Sequence, residues 1–296
     1  HTAAGSYSAK SKGFVPRSTL DVYKRQEFRA PVLGEGAVDA TKAGTTVFED
    51  DSIRLWHSGD EVLVASIKTK MHVIGQGVID GLKRGLSEAE QNFKGLVIWG
   101  TDAAEGGAFS AGADLQSALP AFMAGGAKAL DPLIKDLQNT FMAMKYSNVP
   151  VVAAVAGLAL GGGCELALHA SRRVASIESY IGLVEVGVGL VPGAGGLTYI
   201  ARRAAENAAT STDKDLLKFL TEGFTAAAMA KVGTSAIESR KLGYLLEGDI
   251  VVPNKDELLY VAVQQAKAMY DAGWRAPHKR LFPVAGRSAK ATIMGQ

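Results

Sequence analysis

A run of three glycines followed by a glutamate is the chemically most informative feature of this sequence. It occurs in "LALGGGCELALHA" (158–170), where Glu165 follows an apolar stretch. Glycine has no Cβ, so the backbone can approach a ligand closely, and the first N–H groups of a helix have no partner inside it. Amides at a helix start here could hold an oxygen that becomes negative during a reaction. Close packing of a helix against a sheet is the alternative explanation for the glycines.

Two further segments carry features that fit the same chemistry. "GGAFSAGADL" (106–115) follows the predicted strand "KGLVIWG" (94–100), so small residues again stand where a strand ends. Amides exposed at two strand ends could form an oxyanion hole with two donors. "YIGLVEVGVGLVPGAGG" (180–196) adds a second acid, Glu185, in a glycine-rich setting. Two carboxyl groups beside an oxyanion hole could divide acid and base catalysis between them.

Strands and helices alternate along the chain, which predicts an α/β fold with helices layered on a sheet. Residues 45–69 contain two β-like runs around a Ser-Gly-Asp turn and predict a hairpin. Apolar residues at helical spacing predict the helices, and short apolar runs predict buried strands. The predicted strands are 94–100, 150–157 and the start of 178–204, and the predicted helices are 73–91, 129–147, the end of 178–204, 213–223, 235–245 and 256–273.

The composition is that of a globular protein with a sizeable core. The chain has 296 residues, 47% of them hydrophobic, enough for one large domain or two small ones. A formal net charge of +2 gives no electrostatic indication of a nucleic-acid or membrane partner. No apolar run reaches the roughly 18 residues of a transmembrane helix. The single cysteine, Cys164, excludes an internal disulfide and fits a reducing compartment, so we expect a cytoplasmic protein.

Several segments outside these motifs predict no chemistry. Residues 1–45 lack sustained periodicity and predict a poorly ordered leader or linker. Within them, "GEGAVDA" begins like a dinucleotide-binding loop, but Asp39 stands at the third glycine position and no βαβ unit follows. The five histidines have no metal-ligand spacing. His169 lies one helical turn after Glu165, where we expect a packed or solvated histidine rather than a catalytic one.

Three motifs, "FSAGADL", "GLALGGGCELAL" and "IGLVEVGVGLVPGAGG", resemble in order and spacing those of the enoyl-CoA hydratase/isomerase (crotonase) family. The resemblance covers about residues 46–250. It is closest to the hydratase part of hydratase/3-hydroxyacyl-CoA dehydrogenase fusions. It implies a crotonase-like fold of repeated ββα units, with a core over 46–246 and a helical C-terminal region over 247–296. It also implies a homotrimer or a dimer of trimers.

The resemblance further implies a catalytic site that acts on a coenzyme A thioester. The backbone N–H groups of Ala113 and Gly162 would hold the thioester oxygen, while Glu165 activates a water molecule and Glu185 supplies a proton to Cα. The chain would then hydrate a 2-enoyl-CoA to a 3-hydroxyacyl-CoA, as in fatty-acid β-oxidation. Coenzyme A enters as part of the substrate, and the reaction needs neither a metal ion nor a redox cofactor.

The sequence departs from the family pattern where coenzyme A contacts are expected. "IKTKMHVIG" replaces a segment that is "NAL"-like in many members, and its Lys68 and Lys70 could meet coenzyme A phosphates or be solvated. Lys279 and Arg280 are further candidates for this contact. Residues 205–234 form a longer link than is usual in the family, so the resemblance leaves the length of the acyl pocket open.

Other functions stay open at this point. A 3-enoyl-CoA isomerase of the same family often retains only the later acid, so the presence of both Glu165 and Glu185 favours hydration. A crotonase fold kept for assembly or RNA contact would leave these acids without a purpose. A serine peptidase of the Clp type needs a Ser/His/Asp set that this sequence does not offer, and Ser110 lacks the GxSxG context of other serine hydrolases.

Overall fold

The computed structural model describes residues 43–100 and 107–295 and two short strands near the N-terminus. β1 (Ser6–Ser8) and β2 (Gly13–Val15) pair with each other in an antiparallel arrangement. They lie within the leader predicted over residues 1–45. Most of that segment, including "GEGAVDA", falls outside the described residues.

The main part of the chain alternates strands with helices. Its strands are β3 (Thr45–Glu49), β4 (Ile53–His57), β5 (Leu63–Ile67), β6 (Leu96–Gly100), β7 (Val151–Leu160), β8 (Arg172–Gly182) and β9 (Ile250–Val252). Its helices are α1 (Gln76–Asn92), α2 (Leu115–Gly125), α3 (Asp131–Lys145), α4 (Gly162–His169), α5 (Gly196–Thr210), α6 (Leu216–Ala228), α7 (Ala236–Lys241), α8 (Leu258–Asp271) and α9 (Gly286–Met294).

The strands β3 to β9 form one sheet in chain order. β3, β4 and β5 pair antiparallel, and every later pair of neighbours is parallel. Parallel neighbours need a crossover connection, and the helices supply it after β5, β6, β7 and β8. This topology places the carboxyl ends of the parallel strands at one edge of the sheet, where ligands bind in many open α/β sheets.

Successive strand residues point to opposite faces of the sheet, and both faces are covered. On one face, Leu63 and Ile98 belong to an apolar layer that includes buried residues of α1, α3 and α4. On the other face, Val64 and Val97 belong to a second layer that includes buried residues of α8. Burial on both faces explains why β6 and β7 are continuous apolar runs in the sequence.

The structure confirms the predicted α/β layering. The hairpin predicted in residues 45–69 is confirmed by β4 and β5, which pair antiparallel. The C-terminal region, predicted to be helical from 247, contains α8 and α9 and also contributes β9, which pairs with β8. None of the helices in the described residues combines the length and apolar character needed to cross a bilayer.

The sequence analysis does not predict helix α2. Asp114 caps this helix, since its Oδ1 accepts hydrogen bonds from the amides of Gln116 and Ser117, both at 3.1 Å. The helix contains Pro120 and has no buried residue. Its larger apolar residues, Leu115, Leu119, Phe122 and Met123, recur at helical spacing, but they are exposed, and the proline inside the helix obscures the pattern in the sequence.

Parallel pairing of β6 and β7 brings two glycine-rich segments together. After β6, the chain returns to β7 at Ser110, whose amide donates to the carbonyl oxygen of Leu158 and whose carbonyl oxygen accepts from the amide of Leu160, both at 3.0 Å. Helix α4 begins two residues after Leu160. The segment 108–113 and the glycine triplet are consequently neighbours in space.

A buried ion pair joins β8 to the turn before β9, and we expect it to be important for stability. Arg173 Nε lies 2.7 Å from Asp249 Oδ2, with the two side chains 4% and 1% exposed. Asp249 also accepts from the amides of Arg173 and Leu246. Removing one partner of a buried pair typically costs about 3–5 kcal/mol, because the other charge stays buried without compensation.

Asp249→Ala should therefore lower the free energy of unfolding by that amount, as measured by urea denaturation. Asp51→Ala, which changes an exposed aspartate, is the control and should leave the unfolding midpoint unchanged. Equal midpoints for the two variants would contradict a stabilising role for the buried pair.

Candidate active site

The three glycines before Glu165 have different structural roles. Gly161 precedes α4 with a φ of 52°, a left-handed conformation that glycine adopts without strain. A Cβ on Gly163 would lie 2.7 Å from the Cβ of Ser110, so this glycine permits close packing. A Cβ on Gly162 would lie 3.2 Å from the amide nitrogen of Ala113. Close packing thus explains Gly163. Gly162 instead keeps the space beside the amide of Ala113 free of side-chain atoms.

The amide of Ala113 belongs to a loop that backbone hydrogen bonds hold in place on both sides of this residue. The amide of Ile74 donates to the carbonyl oxygen of Gly112 at 2.8 Å, and the amide of Asp114 donates to the carbonyl oxygen of Ile74 at 3.0 Å. These two bonds form a bridge that does not use the amide of Ala113. Gly112 has a φ of 107°, so this turn depends on glycine. The structure thereby brings together Ala113 and Gly162, the two residues predicted to form an oxyanion hole.

Glu165 lies in the first turn of α4 and is only 2% exposed. Its Oε1 accepts hydrogen bonds from the amides of Ala194 at 2.9 Å and Gly196 at 2.8 Å. Burial raises the pKa of Glu165 to about 7; the two amides act against this shift and the negative charge of Glu185 adds to it. A carboxyl group with a pKa near neutral pH can take up or release a proton under physiological conditions.

Glu185 begins a short 3-10 helix, Glu185–Val188, that follows β8. Both carboxylate oxygens are buried, and neither has a hydrogen-bond partner among the described residues. Burial raises the pKa of Glu185, and the nearby amides of Glu185 and Val184, which lie outside hydrogen-bond geometry, oppose the shift. A Cβ on Gly161 would lie 3.4 Å from Oε1 of Glu185, so this carboxyl group packs against the start of α4. A buried carboxyl group without a partner is available to a polar ligand.

His169 supports the backbone around Glu165. Its Nδ1 lies 2.7 Å from the carbonyl oxygen of Glu165, and its ring centroid lies 5.5 Å from that of Phe141. Burial lowers the pKa of His169 to about 4, so the ring is neutral near pH 7 and Nδ1 donates to the carbonyl. A Cβ on Gly195 would lie 2.7 Å from the ring, which shows that His169 also packs against the loop that holds the Glu165 carboxylate. The prediction of a packed histidine is confirmed.

The short turn Lys70–His72 supports the loop that carries Ala113, although no local sequence motif indicates this. Met71 and His72 both have positive φ, 55° and 51°. Ser110 Oγ donates to the carbonyl oxygen of His72 at 2.7 Å. The buried ring of His72 contacts the carbonyl oxygen at the start of the same loop through Nδ1. Ser110 is therefore a structural residue of the loop.

The four candidates for coenzyme A contacts lie in different environments. Lys68 is engaged by Glu49, since its Nζ lies 2.7 Å from Oε1 of that residue. Lys70 is exposed. Lys279 places its Nζ 5.6 Å from the centroid of a tyrosine ring at the end of α3. Arg280 lines a cavity between α3 and α5 whose lining includes neither of the two glutamates nor the two predicted oxyanion amides.

The reactive groups that this site offers are two carboxyl groups and two backbone amides. Cys164 is fully buried, and burial raises the pKa of its thiol, which keeps it protonated. Among the described residues, no three His, Cys, Asp or Glu side chains are grouped so that they could hold a metal ion.

The raised pKa of Glu165 predicts a pH-dependent contribution to stability. The pKa is about 7 in the folded protein against an ordinary value of 4.5, so the folded state binds this proton more tightly than the unfolded chain. The contribution is fully present below pH 4.5 and is lost as the pH rises through about 7.

Glu165→Gln removes this contribution. We therefore expect the free energy of unfolding of the variant, relative to the unmodified protein, to increase by about 2–3 kcal/mol between about pH 5 and about pH 8. Urea denaturation at both pH values measures the change. The exposed Glu178→Gln on β8 is the matched control and should show no such increase. An identical pH response of the two variants would mean that Glu165 is not desolvated.

Comparison with known proteins assigns a family to this chain. The sequence profile of the enoyl-CoA hydratase/isomerase family matches residues 62–234, more than half of the chain. A "Probable 3-hydroxyacyl-CoA dehydrogenase" of Bacillus subtilis (strain 168) is 38% identical over 285 residues, which cover 93% of this chain and 34% of that protein. A "Putative fatty acid oxidation complex trifunctional enzyme" of Rickettsia felis is 40% identical over 160 residues, 54% of this chain and 22% of that protein. The chain thus spans about a third or less of the length of these relatives.

Solved structures share the fold. An enoyl-CoA hydratase from Bacillus anthracis superposes with a TM-score of 0.58 at 23% identity and covers 74% of this chain and 76% of its own. Pseudomonas aeruginosa DspI superposes with a TM-score of 0.61 at 22% identity, covering 84% of this chain and 83% of its own. At such identities the likeness shows the fold alone. The family profile, matched over the strands and loops that carry both glutamates, shows that this chain belongs to the enoyl-CoA hydratase/isomerase (crotonase) family.

Proposed function

We propose that this chain is a 2-enoyl-CoA hydratase. The observation that carries the proposal is the pair of buried glutamates, Glu165 and Glu185, which interact electrostatically beside two closely placed backbone amides. Addition of water to a conjugated thioester needs a base for the water, an acid for the carbon that gains a proton, and donors for the thioester oxygen. This site supplies one carboxyl group as the base, another as the acid, and two amides as donors to the thioester oxygen.

In the proposed reaction, the amides of Ala113 and Gly162 donate to the thioester oxygen and stabilise the negative charge that develops there. Glu165 takes a proton from a water molecule, whose oxygen forms a bond to Cβ while the Cα–Cβ double bond opens. Glu185 gives a proton to Cα. The product is a 3-hydroxyacyl-CoA, and one further proton transfer through water returns the two carboxyl groups to their starting states.

The environments of the two carboxyl groups support this division of roles. Glu165 receives hydrogen bonds from Ala194 and Gly196, which favour its ionised form and hold it in one position. Glu185 has no hydrogen-bond partner among the described residues, and burial favours its protonated form. Burial raises the pKa of both groups, so the proposed division rests on the two amides that favour the ionised form of Glu165, the form that a base needs.

The second candidate function is isomerisation of a 3-enoyl-CoA, which moves a proton from one carbon to another without adding water. A single acid–base residue is sufficient for that transfer. The presence of Glu165, positioned by two amides, supports hydration as the main reaction. The name of the Rickettsia felis relative supports fatty-acid oxidation as the pathway of this proposed reaction. Assembly into a homotrimer or a dimer of trimers stays a prediction from the family resemblance.

Substitution of either glutamate tests the proposed chemistry. Glu165→Gln and Glu185→Gln keep the side-chain shape but cannot exchange the catalytic proton, so each should lower kcat for crotonyl-CoA by roughly 10²–10⁴-fold. The loss of ultraviolet absorbance of the conjugated thioester measures hydration. Glu178→Gln, on the strand that leads to Glu185, is the control and should keep full activity.

Two outcomes would contradict this assignment. Full activity in Glu165→Gln would exclude it as the base. Isomerisation of a 3-enoyl-CoA without hydration of crotonyl-CoA, by folded protein, would make the second candidate function the correct one.

A single methyl group tests the oxyanion hole. Gly162→Ala would place a Cβ 3.2 Å from the amide nitrogen of Ala113, in the space that the thioester oxygen needs. Loss of one oxyanion donor typically costs about 2.7–4 kcal/mol of barrier, so kcat should fall roughly 10²–10³-fold. Gly187→Ala, where a Cβ would meet no atom within 4 Å, is the matched control. A drop in kcat shared by both variants, or absent from both, would count against the proposed oxyanion hole.

A further inference from the structure

A second cavity lies behind the loop that holds Glu165. It has a volume of about 950 Å³ and is bounded by α3, α5 and the segment 275–283. Ala194 and Gly195 line it, so this loop faces the catalytic carboxylate on one side and the cavity on the other. Neither of the two catalytic glutamates belongs to its lining.

The charged groups that line this cavity are mostly cationic. Four of them are positive, namely Lys145, Arg202, Arg275 and Arg280, and only Glu206 is negative. Glu206 is already shared, because it forms ion pairs with Arg202 at 3.6 Å and with the neighbouring Arg203. The lining therefore carries a formal excess of three positive charges, counted as four cations and one anion.

Lys145 is the cation for which the lack of a counter-charge is clearest. It is half-buried at the end of α3, and no carboxylate among the described residues lies within the 4 Å of an ion pair. Burial lowers the pKa of Lys145 to about 8; the positive charge of Arg202 adds to the shift, and the negative charge of Glu206 opposes it. Two half-buried cations that repel each other across a concave surface favour the binding of an anion between them.

The remaining walls are apolar and aromatic. Met142 and Leu168 contribute aliphatic surface, and Tyr146, Tyr199 and Phe282 contribute rings. Ligand pockets in proteins typically combine such walls with a few charged groups that fix the ligand's orientation. An inorganic ion alone would leave most of these walls without a contact.

We propose that this cavity is a second ligand site, separate from the thioester site, for an organic anion. A phosphate or carboxylate head pairs with Lys145 and Arg202, and an apolar body packs against Leu168 and the tyrosine rings. The proposal does not depend on hydratase activity, because it concerns binding by residues outside the catalytic pair.

Isothermal titration calorimetry on the full chain tests the site with three probes. Phenyl phosphate and decanoate each combine an anionic head with an apolar body, and inorganic phosphate has the charge alone. We expect saturable binding of at least one organic probe, tighter than that of inorganic phosphate. Preference for phenyl phosphate would identify a phosphate ligand, and preference for decanoate a fatty carboxylate.

Variants locate the binding. Lys145→Met and Arg202→Met should each weaken it at least about tenfold, since each removes a charge-assisted hydrogen bond. Lys145→Arg should retain it. Lys135→Met, at an exposed position on the same helix, is the matched control and should bind as the unmodified protein does.

Three results would overturn the proposal. The first is that none of the three probes binds to the folded protein. The second is that Lys145→Met and Lys135→Met bind the probes equally well. The third is that KM for crotonyl-CoA rises in Lys145→Met in parallel with its loss of probe binding. The last result would assign these cations to the substrate's own coenzyme A. Calorimetry needs no turnover, so an inactive enzyme would leave the binding test intact and would count only against the proposed function.

Discussion

The candidate active site depends on the close approach of two backbone segments at the carboxyl edge of the parallel sheet. Parallel pairing places β6 beside the first half of β7, and the chain after β6 returns at Ser110, which bonds to Leu158 and Leu160 at the end of β7. Only glycine allows this distance, because a Cβ at residue 163 would collide with Ser110. The same approach puts the amide of Ala113 next to Gly162. The proximity of these two amides is thus a consequence of strand pairing and of missing side chains.

Burial of carboxyl groups is the second feature that shapes the site. A desolvated carboxylate is costly unless donors surround it. The loop before α5 supplies two amides to Glu165, and His169 packs against that loop and bonds to the backbone of the same glutamate. Glu185 has no such donors among the described residues. Two chemically identical groups therefore have different hydrogen-bond environments, although burial raises the pKa of both.

The loop 194–196 connects the Glu165 carboxylate with the cationic cavity. Its amides point to Glu165, and its other side lines the cavity between α3 and α5. Gly195 has a φ of 112°, and the ring of His169 occupies the position where a side chain would stand. The loop has little freedom to move without displacing Glu165. A ligand in the cavity would touch this rigid support directly.

The sequence by itself determined the α/β layering, because periodic apolar runs are local patterns. The prediction of a site with two glutamates and the amides of Ala113 and Gly162 came from the resemblance of three glycine-rich motifs to a known family. The sequence did not show that the amides of Ala194 and Gly196 hold Glu165, although the glycines there indicated close backbone approach. Only the tertiary structure decided that Lys68 is engaged by Glu49 and that Arg280 and Lys145 line the same cavity. The residues of each pair are far apart in the chain, so local spacing in the sequence does not show that they meet. The pKa of a side chain depends on its burial in the fold, which local spacing does not show either.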